Sequence, residues 1–151
     1  MDSKRNARLE QGKTMSLIAP LLETPHTFAI VGVSQNRSKY GYELFETLTR
    51  HGHSVLPINP KYTEIDGQAC YPSLAELPLI PDIVITAAPA SASAQIAETC
   101  ASLGFSIFWM PTGTESDTAI ETCQRGGVTP IHGYCPVFLL KLPPEKWAQL
   151  P

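Results

Sequence analysis

Residues 28–41 form the first stretch whose residue types and spacing could do chemistry. Four apolar residues run into Gly32, and a polar loop then leads to Gly41 at the start of an amphipathic segment. This pattern is typical of a buried parallel strand that turns into a helix. Backbone N–H groups at a helix start can bind phosphate, and a glycine lets the phosphate approach the main chain. The stretch therefore predicts an anion-binding turn, although any strand-to-helix turn of an α/β protein shares the pattern.

The residues after the second predicted strand indicate which nucleotide this turn could hold. An NAD site usually has Asp or Glu there, about 20 residues past the glycine motif, to bind the ribose hydroxyls. This chain instead has Asn59, Pro60 and Lys61. A lysine favours a ligand that carries a phosphate on its ribose, which excludes plain NAD and leaves NADP or coenzyme A (CoA). A solvated lysine on a loop is the alternative.

The remaining candidates for catalysis and metal binding are isolated in the sequence. His132, at the end of the last predicted strand, could carry a proton, but a hydrogen-bonded structural role is the alternative. Glu115 and Asp117 are expected in the first turn of a helix, where the helix dipole favours acids. The cysteines form no CxxC pair or zinc spacing and indicate reduced thiols in a cytoplasmic protein; they are Cys70, Cys100, Cys123 and Cys135. We therefore predict no catalytic residues and no metal site.

The elements that must position these residues alternate along the chain. Apolar runs predict strands at residues 28–33, 54–58, 83–86, 106–110 and 128–131. Amphipathic segments predict helices at residues 39–51, 91–103 and 115–125, the first capped by Ser38. A short helix at 17–22, a short strand at 68–71 and a helical turn at 73–77 complete the pattern, and Pro57 should have its nitrogen at a strand end or facing outward. This alternation predicts an α/β, three-layer Rossmann-like fold with a mostly parallel sheet.

Length and charge restrict the classes of protein to consider. The 151 residues suit one domain, which we place at 15–151 after a disordered extension at 1–14. A net charge of -3 argues against a nucleic-acid-coating protein, and no apolar run is long enough to predict a membrane span. Because ligands of such folds lie beyond the carboxyl ends of the strands, we expect the binding site at that edge of the sheet.

Several of these motifs together resemble a known family. Residues 30–34, Tyr40-Gly41, residues 57–61 and Cys135-Pro136 resemble the small, single-domain CoA-binding proteins, which are similar to the first domain of the succinyl-CoA synthetase α subunit. The resemblance covers about residues 24–142. It implies that CoA is the ligand and that the loops after strands one and two hold it.

The resemblance also assigns roles to individual residues. Gly32, Ser34 and Arg37 would face the phosphates, Tyr40 and Gly41 would shape the helix entrance, and Asn59, Pro60 and Lys61 would lie by the adenosine. From the same turn we add Val33 and Lys39 as candidate binding residues. We also add Ala88 and Pro89, because the loop at 87–90 resembles a proline-bearing loop of the synthetase. Cys135 should lie where the pantetheine arm emerges and could form a mixed disulfide with CoA; a small buried residue is the alternative.

Likeness of fold does not by itself imply the ligase activity. The synthetase uses a phosphorylated histidine in its second domain, and we identify no such domain here. The leading hypothesis is a non-catalytic nucleotide-binding module for CoA or acyl-CoA that serves an unidentified protein partner. An NADP-dependent or acyl-transferring enzyme is the main alternative, and a structural Rossmann-like interaction domain is a third.

Overall fold

The structure, a computed structural model, describes residues 3–150. Residues 1 and 2 of the predicted extension and residue 151 of the predicted domain lie outside the described residues. Among the described residues the strands are β1 (Thr27–Val31), β2 (Ser54–Ile58), β3 (Glu64–Ile65), β4 (Gln68–Ala69), β5 (Ile83–Thr86), β6 (Ile107–Met110) and β7 (Thr129–His132). The helices are α1 (Ser3–Glu23), α2 (Tyr40–Arg50), α3 (Ala90–Leu103), α4 (Asp117–Arg125) and α5 (Pro136–Leu139), with 3-10 turns at Leu74–Glu76 and Pro144–Gln149.

A five-stranded parallel sheet forms the centre of the fold, in the order β2-β1-β5-β6-β7. In this register Ile30 of β1 lies opposite Pro57 of β2 and Ile85 of β5. The chain first adds β2 on one side of β1 and then crosses to add β5 on the other side. The strand order therefore reverses between β1 and β5, which is where ligands of open parallel sheets bind.

Alternating residues of the strands pack into two separate cores, one on each face of the sheet. Phe28 and Ile30 of β1 point into the core that α1, α2 and α5 cover, whereas Ala29 points into the core beneath α3 and α4. In β6, Trp109 joins the first core, and its neighbours Phe108 and Met110 join the second. The three-layer α/β fold predicted from the sequence is thus confirmed.

Pro57 lies in the edge strand β2, where a residue without a backbone N–H can be accommodated. The N–H of Ser54 donates toward β1, to His26 O at 3.0 Å, and Gly32 N–H donates to Ile58 O at 2.9 Å. The backbone N–H and C=O groups of every second residue of β2 face away from β1. The first N–H after the strand, that of Asn59, follows this pattern and donates to Tyr71 O at 3.0 Å. The nitrogen of Pro57, two residues before Asn59, therefore faces away from β1, so the parallel ladder loses no donor.

The N-terminal helix differs most from the predicted pattern. The sequence predicts a short helix at residues 17–22 and a disordered extension before it, but α1 begins at Ser3 and so includes residues 3–14. Ile18 and Leu22 of α1 are buried in the core next to α2. Trp147 anchors the C-terminal segment against the same core, where its indole N–H donates to Leu139 O at 2.7 Å.

The start of α4 also differs from the prediction. Ser116 caps this helix, since its Oγ accepts the N–H of Ala119 at 3.1 Å. Glu115 therefore precedes the helix and is not an acid of its first turn. Its Oε1 instead accepts the N–H of Gly113 at 2.9 Å, which holds the loop after β6 in a tight turn.

Candidate functional site

Gly32 forms the turn at the point where the strand order reverses. Its φ is +93°, a conformation that favours glycine, and β1 therefore ends at Val31 instead of residue 33 as predicted. A Cβ at this position would lie 3.1 Å from the backbone N of Ala88, the second residue of the loop after β5. The loops after β1 and β5 thus approach each other closely, and a side chain at residue 32 would require the backbone at Ala88 to shift.

Gly41 allows an equally close approach on the other side of the turn. It lies in the first turn of α2, and a Cβ there would overlap the carbonyl oxygen of Gly32 and lie 3.2 Å from the Cα of Val33. The helix start is therefore packed directly on the glycine turn. This arrangement aims the first N–H groups of α2 at the carboxyl edge of β1, as in dinucleotide-binding folds.

Side chains inside the loop at residues 34–38 fix its shape. Ser34 Oγ accepts the N–H of Asn36 at 3.0 Å, and Asn36 Oδ1 accepts the N–H and the hydroxyl of Ser38 at 3.0 and 2.7 Å. Ser38 is thus not the cap of α2, contrary to prediction, because its hydroxyl is already used within the loop. The capping position is Lys39, whose side chain makes no capping bond.

The missing cap leaves backbone donors unused at the helix start. Within residues 3–150, the N–H groups of Tyr40 and Gly41 donate to no acceptor, whereas the next N–H groups of α2 bond the carbonyl of Lys39. Unused donors at the positive end of a helix form a binding site for an anion. The side chain of Lys39 is exposed beside them.

Arg37 lies in the same loop but contacts a different element. Its guanidinium lies 5.3 Å from the ring centre of Tyr42 and 3.7 Å from a carboxylate oxygen of Asp66. Asp66 is the turn residue of the β3–β4 hairpin and also accepts a hydrogen bond from the Tyr42 hydroxyl at 2.5 Å, which raises the pKa of Tyr42. The structure therefore brings Arg37 together with the hairpin tip.

The hairpin is a part of the site that the sequence analysis missed. Besides Asp66, it contacts the glycine loop through Gln35, whose side-chain amide donates to Glu64 O at 2.9 Å. Only a short strand at residues 68–71 was predicted, whereas β3 and β4 pair across an Asp66-Gly67 turn. That dipeptide is itself a signal of a two-residue hairpin and could have revealed it.

Asn59 connects the ends of β1 and β2. Its side-chain amide donates to Val33 O at 2.9 Å, and its Oδ1 accepts the N–H of Lys61 at 2.9 Å. Both functions of the amide are thus used to hold the two loops together. Pro60 and Lys61 are exposed at the tip of this turn.

The loop after β5 has a similar internal bond. The buried Thr86 accepts the N–H of Ala88 through its Oγ1 at 3.0 Å. Ala88 is half-buried behind Gly32, and Pro89 is the exposed capping residue of α3. Ala88 therefore belongs to the wall of the glycine turn, whereas Pro89 lies at its rim.

Cys135 joins the last part of the chain to the glycine turn. It is the residue before α5, and its Sγ lies 2.9 Å from the hydroxyl of Tyr40 at the start of α2. Burial, together with the adjacent thiol, raises the pKa of Tyr40 well above its ordinary value. The sequence predicted a place near the site for both residues but not the contact between them.

The other thiols are less accessible, although Cys70 lies next to the site, with its Sγ 3.7 Å from Asn59 O. Cys70, Cys100 and Cys123 are buried, and Cys135 is partly exposed. Burial raises the pKa of Cys100 to about 12 and that of Cys123 to about 11, and it also raises the pKa of Cys70. Cys135 is thus the thiol at the site that a ligand could approach.

Other features bear on metals, membranes and catalysis. Within residues 3–150, no three His, Cys, Asp or Glu side chains lie close enough together to hold a metal ion. None of the described helices is long and apolar enough to cross a membrane. His132 is the exposed last residue of β7.

Comparisons with known proteins show which sequences and folds this chain resembles. The chain is 28% identical over 121 residues to the ADP-forming acetate–CoA ligase I of Archaeoglobus fulgidus, a match that covers 74% of this chain and 18% of the ligase. A conserved hypothetical protein from Pyrococcus furiosus superposes with a TM-score of 0.72 at 34% identity, over 75% of this chain and 97% of its own. A hypothetical protein from Pyrococcus horikoshii OT3 gives a TM-score of 0.80 at 24% identity, over 87% of this chain and 92% of its own, which shows the shared fold.

The chain spans less than one fifth of the ligase it matches but nearly the whole length of the small structural relatives. A family model described as a CoA binding domain matches residues 26–141. That range begins just before β1 and ends just after α5, so it contains every loop of the site described above. The resemblance inferred from the motifs is confirmed, and the chain belongs to the CoA binding domain family.

Proposed function

We propose that this chain is a non-catalytic binding module that holds CoA or an acyl-CoA at the carboxyl edge of its sheet. The loops after β1 and β2 bind the adenosine and phosphate part of the ligand. The observation that carries this proposal is the end of β2, where an NAD site would have a carboxylate. Asn59 stands there instead, and its amide is engaged in bonds to the backbone of Val33 and Lys61.

The exposed lysine next to Asn59 supports a ligand with a phosphate on its ribose. Because Asn59 fixes the backbone of Lys61, the ammonium group can reach only the surface around the end of β2. CoA carries a 3′-phosphate on its adenosine, and an ammonium group attracts such a phosphate. The pyrophosphate would then accept the unused N–H groups of Tyr40 and Gly41, with Lys39 beside them.

The chemistry of the site supports binding without catalysis. Cys135 is the thiol near the pantetheine path. The raised pKa of its neighbour Tyr40 keeps that side chain a neutral phenol, which cannot accept the proton of the thiol. His132 is exposed at the end of β7, and no hydrogen bond within residues 3–150 orients its ring. We expect no hydrolysis or transfer of acetyl-CoA or succinyl-CoA above background. Turnover that survives repurification and is lost in a folded His132→Ala variant would contradict the non-catalytic role.

The ligand assignment is tested by isothermal titration of the chain with CoA, dephospho-CoA and NADP. CoA should bind most tightly. Lys61→Ala should weaken CoA binding about fivefold, since an exposed ion pair is worth up to about 1 kcal/mol. The same substitution should leave the affinity for dephospho-CoA unchanged, because that ligand lacks the phosphate.

A matched control removes a cation at the opposite edge of the sheet. Arg125, in the last turn of α4, is exposed, and Arg125→Ala changes the net charge by the same amount as Lys61→Ala. It should not alter CoA affinity at physiological salt. Equal losses in the two variants, or no loss in either, would show that Lys61 does not contact the 3′-phosphate. Tighter binding of NADP than of CoA would favour the alternative of an NADP-dependent protein.

A further inference from the structure

A pocket of about 330 Å³ opens beside Cys135, beyond the ends of β6 and β7. This volume falls at the lower end of the range for small-molecule sites, about 300–1,000 Å³. The side chains around it are uncharged and mostly apolar; they include Thr112, Tyr134, Cys135, Phe138, Leu139 and Leu150. Such a lining suits a hydrocarbon group and not a phosphate or a sugar.

Phe138 is a large apolar side chain that lies at the rim of this pocket. It belongs to α5, and 54% of its surface is exposed although it is among the largest apolar side chains. Its neighbours in α5, Val137 and Leu139, are buried in the core, so the ring projects from a helix that is itself well anchored. An exposed aromatic ring at the rim of an apolar pocket is typical of a ligand-binding surface.

The pocket adjoins the proposed CoA site through Cys135. Cys135 lines the pocket and contacts Tyr40, which begins α2 directly after the glycine loop. In the sheet, β7 is separated from β1 by β5 and β6, that is, by three inter-strand spacings or about 14 Å. A ligand whose phosphates lie at the start of α2 and whose arm runs along this edge would bring its far end to Cys135.

We infer that this pocket binds the hydrocarbon chain of an acyl-CoA, so the ligand class is a medium-chain acyl thioester. The inference rests on the proposed function, because the phosphates must lie at the glycine turn for the thioester to reach Cys135. The acyl group of the ligand then covers the ring of Phe138 and lies between Thr112 and Leu139. A larger cavity of about 600 Å³, which shares Tyr134 and Leu150 with this pocket, lies next to it under α1.

The inference predicts that affinity depends on the length of the acyl chain. Each methylene group moved from water into an apolar pocket strengthens binding by about fourfold when fully buried. Hexanoyl-CoA has four more methylene groups than acetyl-CoA. Because the pocket is open on one side, we expect a gain of at least about tenfold for hexanoyl-CoA over acetyl-CoA, and little difference between acetyl-CoA and CoA.

Isothermal titration of the full chain with CoA, acetyl-CoA and hexanoyl-CoA tests this expectation. Phe138→Ala should remove most of the gain for hexanoyl-CoA and leave the affinity for CoA unchanged. Leu79→Ala is the matched control, since Leu79 is 50% exposed in the loop before β5, at the amino ends of the strands and so at the opposite end of the sheet from the pocket. It should change neither affinity. Thr112→Phe, which narrows the pocket from its exposed side, provides a second test if Phe138→Ala lowers the melting temperature.

The outcomes separate this inference from the function on which it rests. If CoA and its acyl forms all fail to bind, the proposed function and the inference are both wrong. If CoA binds but hexanoyl-CoA gains nothing over acetyl-CoA, only the acyl pocket is refuted. If hexanoyl-CoA still binds more tightly than acetyl-CoA in both Phe138→Ala and Thr112→Phe, the acyl group must lie elsewhere. That result would also refute the acyl pocket.

Discussion

Replacing Gly41 by alanine should show whether the packing of α2 on the glycine turn creates the site. The added methyl group would overlap the carbonyl oxygen of Gly32 and lie 3.2 Å from the Cα of Val33. These atoms belong to the backbone, so no side chain can rotate away to make room. The helix start itself must shift away from Gly32.

The expected cost follows from two opposing effects. Overpacking by a methyl group costs about 1–3 kcal/mol of unfolding free energy. Alanine in a helix recovers up to about 1 kcal/mol relative to glycine. The net loss should be about 1–2 kcal/mol, which lowers Tm by about 2–8 °C for a chain of this size. The shift should also move the N–H groups of Tyr40 and Gly41, so CoA affinity should fall about tenfold or more.

Chemical denaturation, thermal melting and titration with CoA measure the three effects. Gly12→Ala is the matched control, because Gly12 lies in α1 with no atom within 4 Å of an added Cβ. This control should gain about 0.5–1 kcal/mol of stability and keep its CoA affinity. If Gly41→Ala behaved like Gly12→Ala, the helix would not be packed on Gly32 as described.

Two further predictions concern His53 and Cys135. Burial lowers the pKa of His53, and charge on His26 acts in the same direction. As the pH falls, His53 is therefore protonated in the unfolded chain before it is protonated in the folded chain. The free energy of unfolding should therefore fall as the pH drops below about 6.5. Chemical denaturation between pH 7.5 and 5.5 should show a weaker pH dependence of this free energy in His53→Asn than in the unmodified chain. An unchanged pH dependence would exclude His53 as its source. Incubation with CoA disulfide should add one CoA to Cys135 by thiol–disulfide exchange, releasing one CoA thiol, since the other thiols are buried with raised pKa values. Intact mass should show no adduct in Cys135→Ser, and an adduct that persists there would rule out this role.

The regular part of the fold was predictable because its signals are local. The strands at residues 54–58 and 83–86 were predicted with the boundaries that the structure shows. Both are short apolar runs in which neighbouring residues face two separate cores, so the pattern is strong on each side. The end of β1 was misplaced by two residues because Val33 is buried like a strand residue, although Gly32 has already turned the chain.

The site was less predictable because its contacts join distant segments. Ser38 has the residue type of a helix cap, but Asn36 competes for its hydroxyl, and the sequence pattern does not reveal which bond prevails. The resemblance assigns Arg37 to the phosphates, which stays a prediction, but the sequence pattern does not reveal its contacts with Tyr42 on the helix and Asp66 on the hairpin. The contact between Tyr40 and Cys135 spans 95 positions in the chain, and no local periodicity encodes it.

The two ends of the proposed ligand should contribute independently to its affinity. Lys61 follows β2 and Phe138 follows β7, and these strands form opposite edges of the sheet, four inter-strand spacings or about 19 Å apart. Side chains this far apart that share no partner usually have additive effects, within about 0.5 kcal/mol. For hexanoyl-CoA, the affinity loss of the double variant Lys61→Ala/Phe138→Ala should therefore equal the product of the two single losses. If the double variant lost no more affinity for hexanoyl-CoA than one single variant, releasing one end of the ligand would also release the other end. The protein would then hold acyl-CoA through one cooperative contact surface instead of two separate ones.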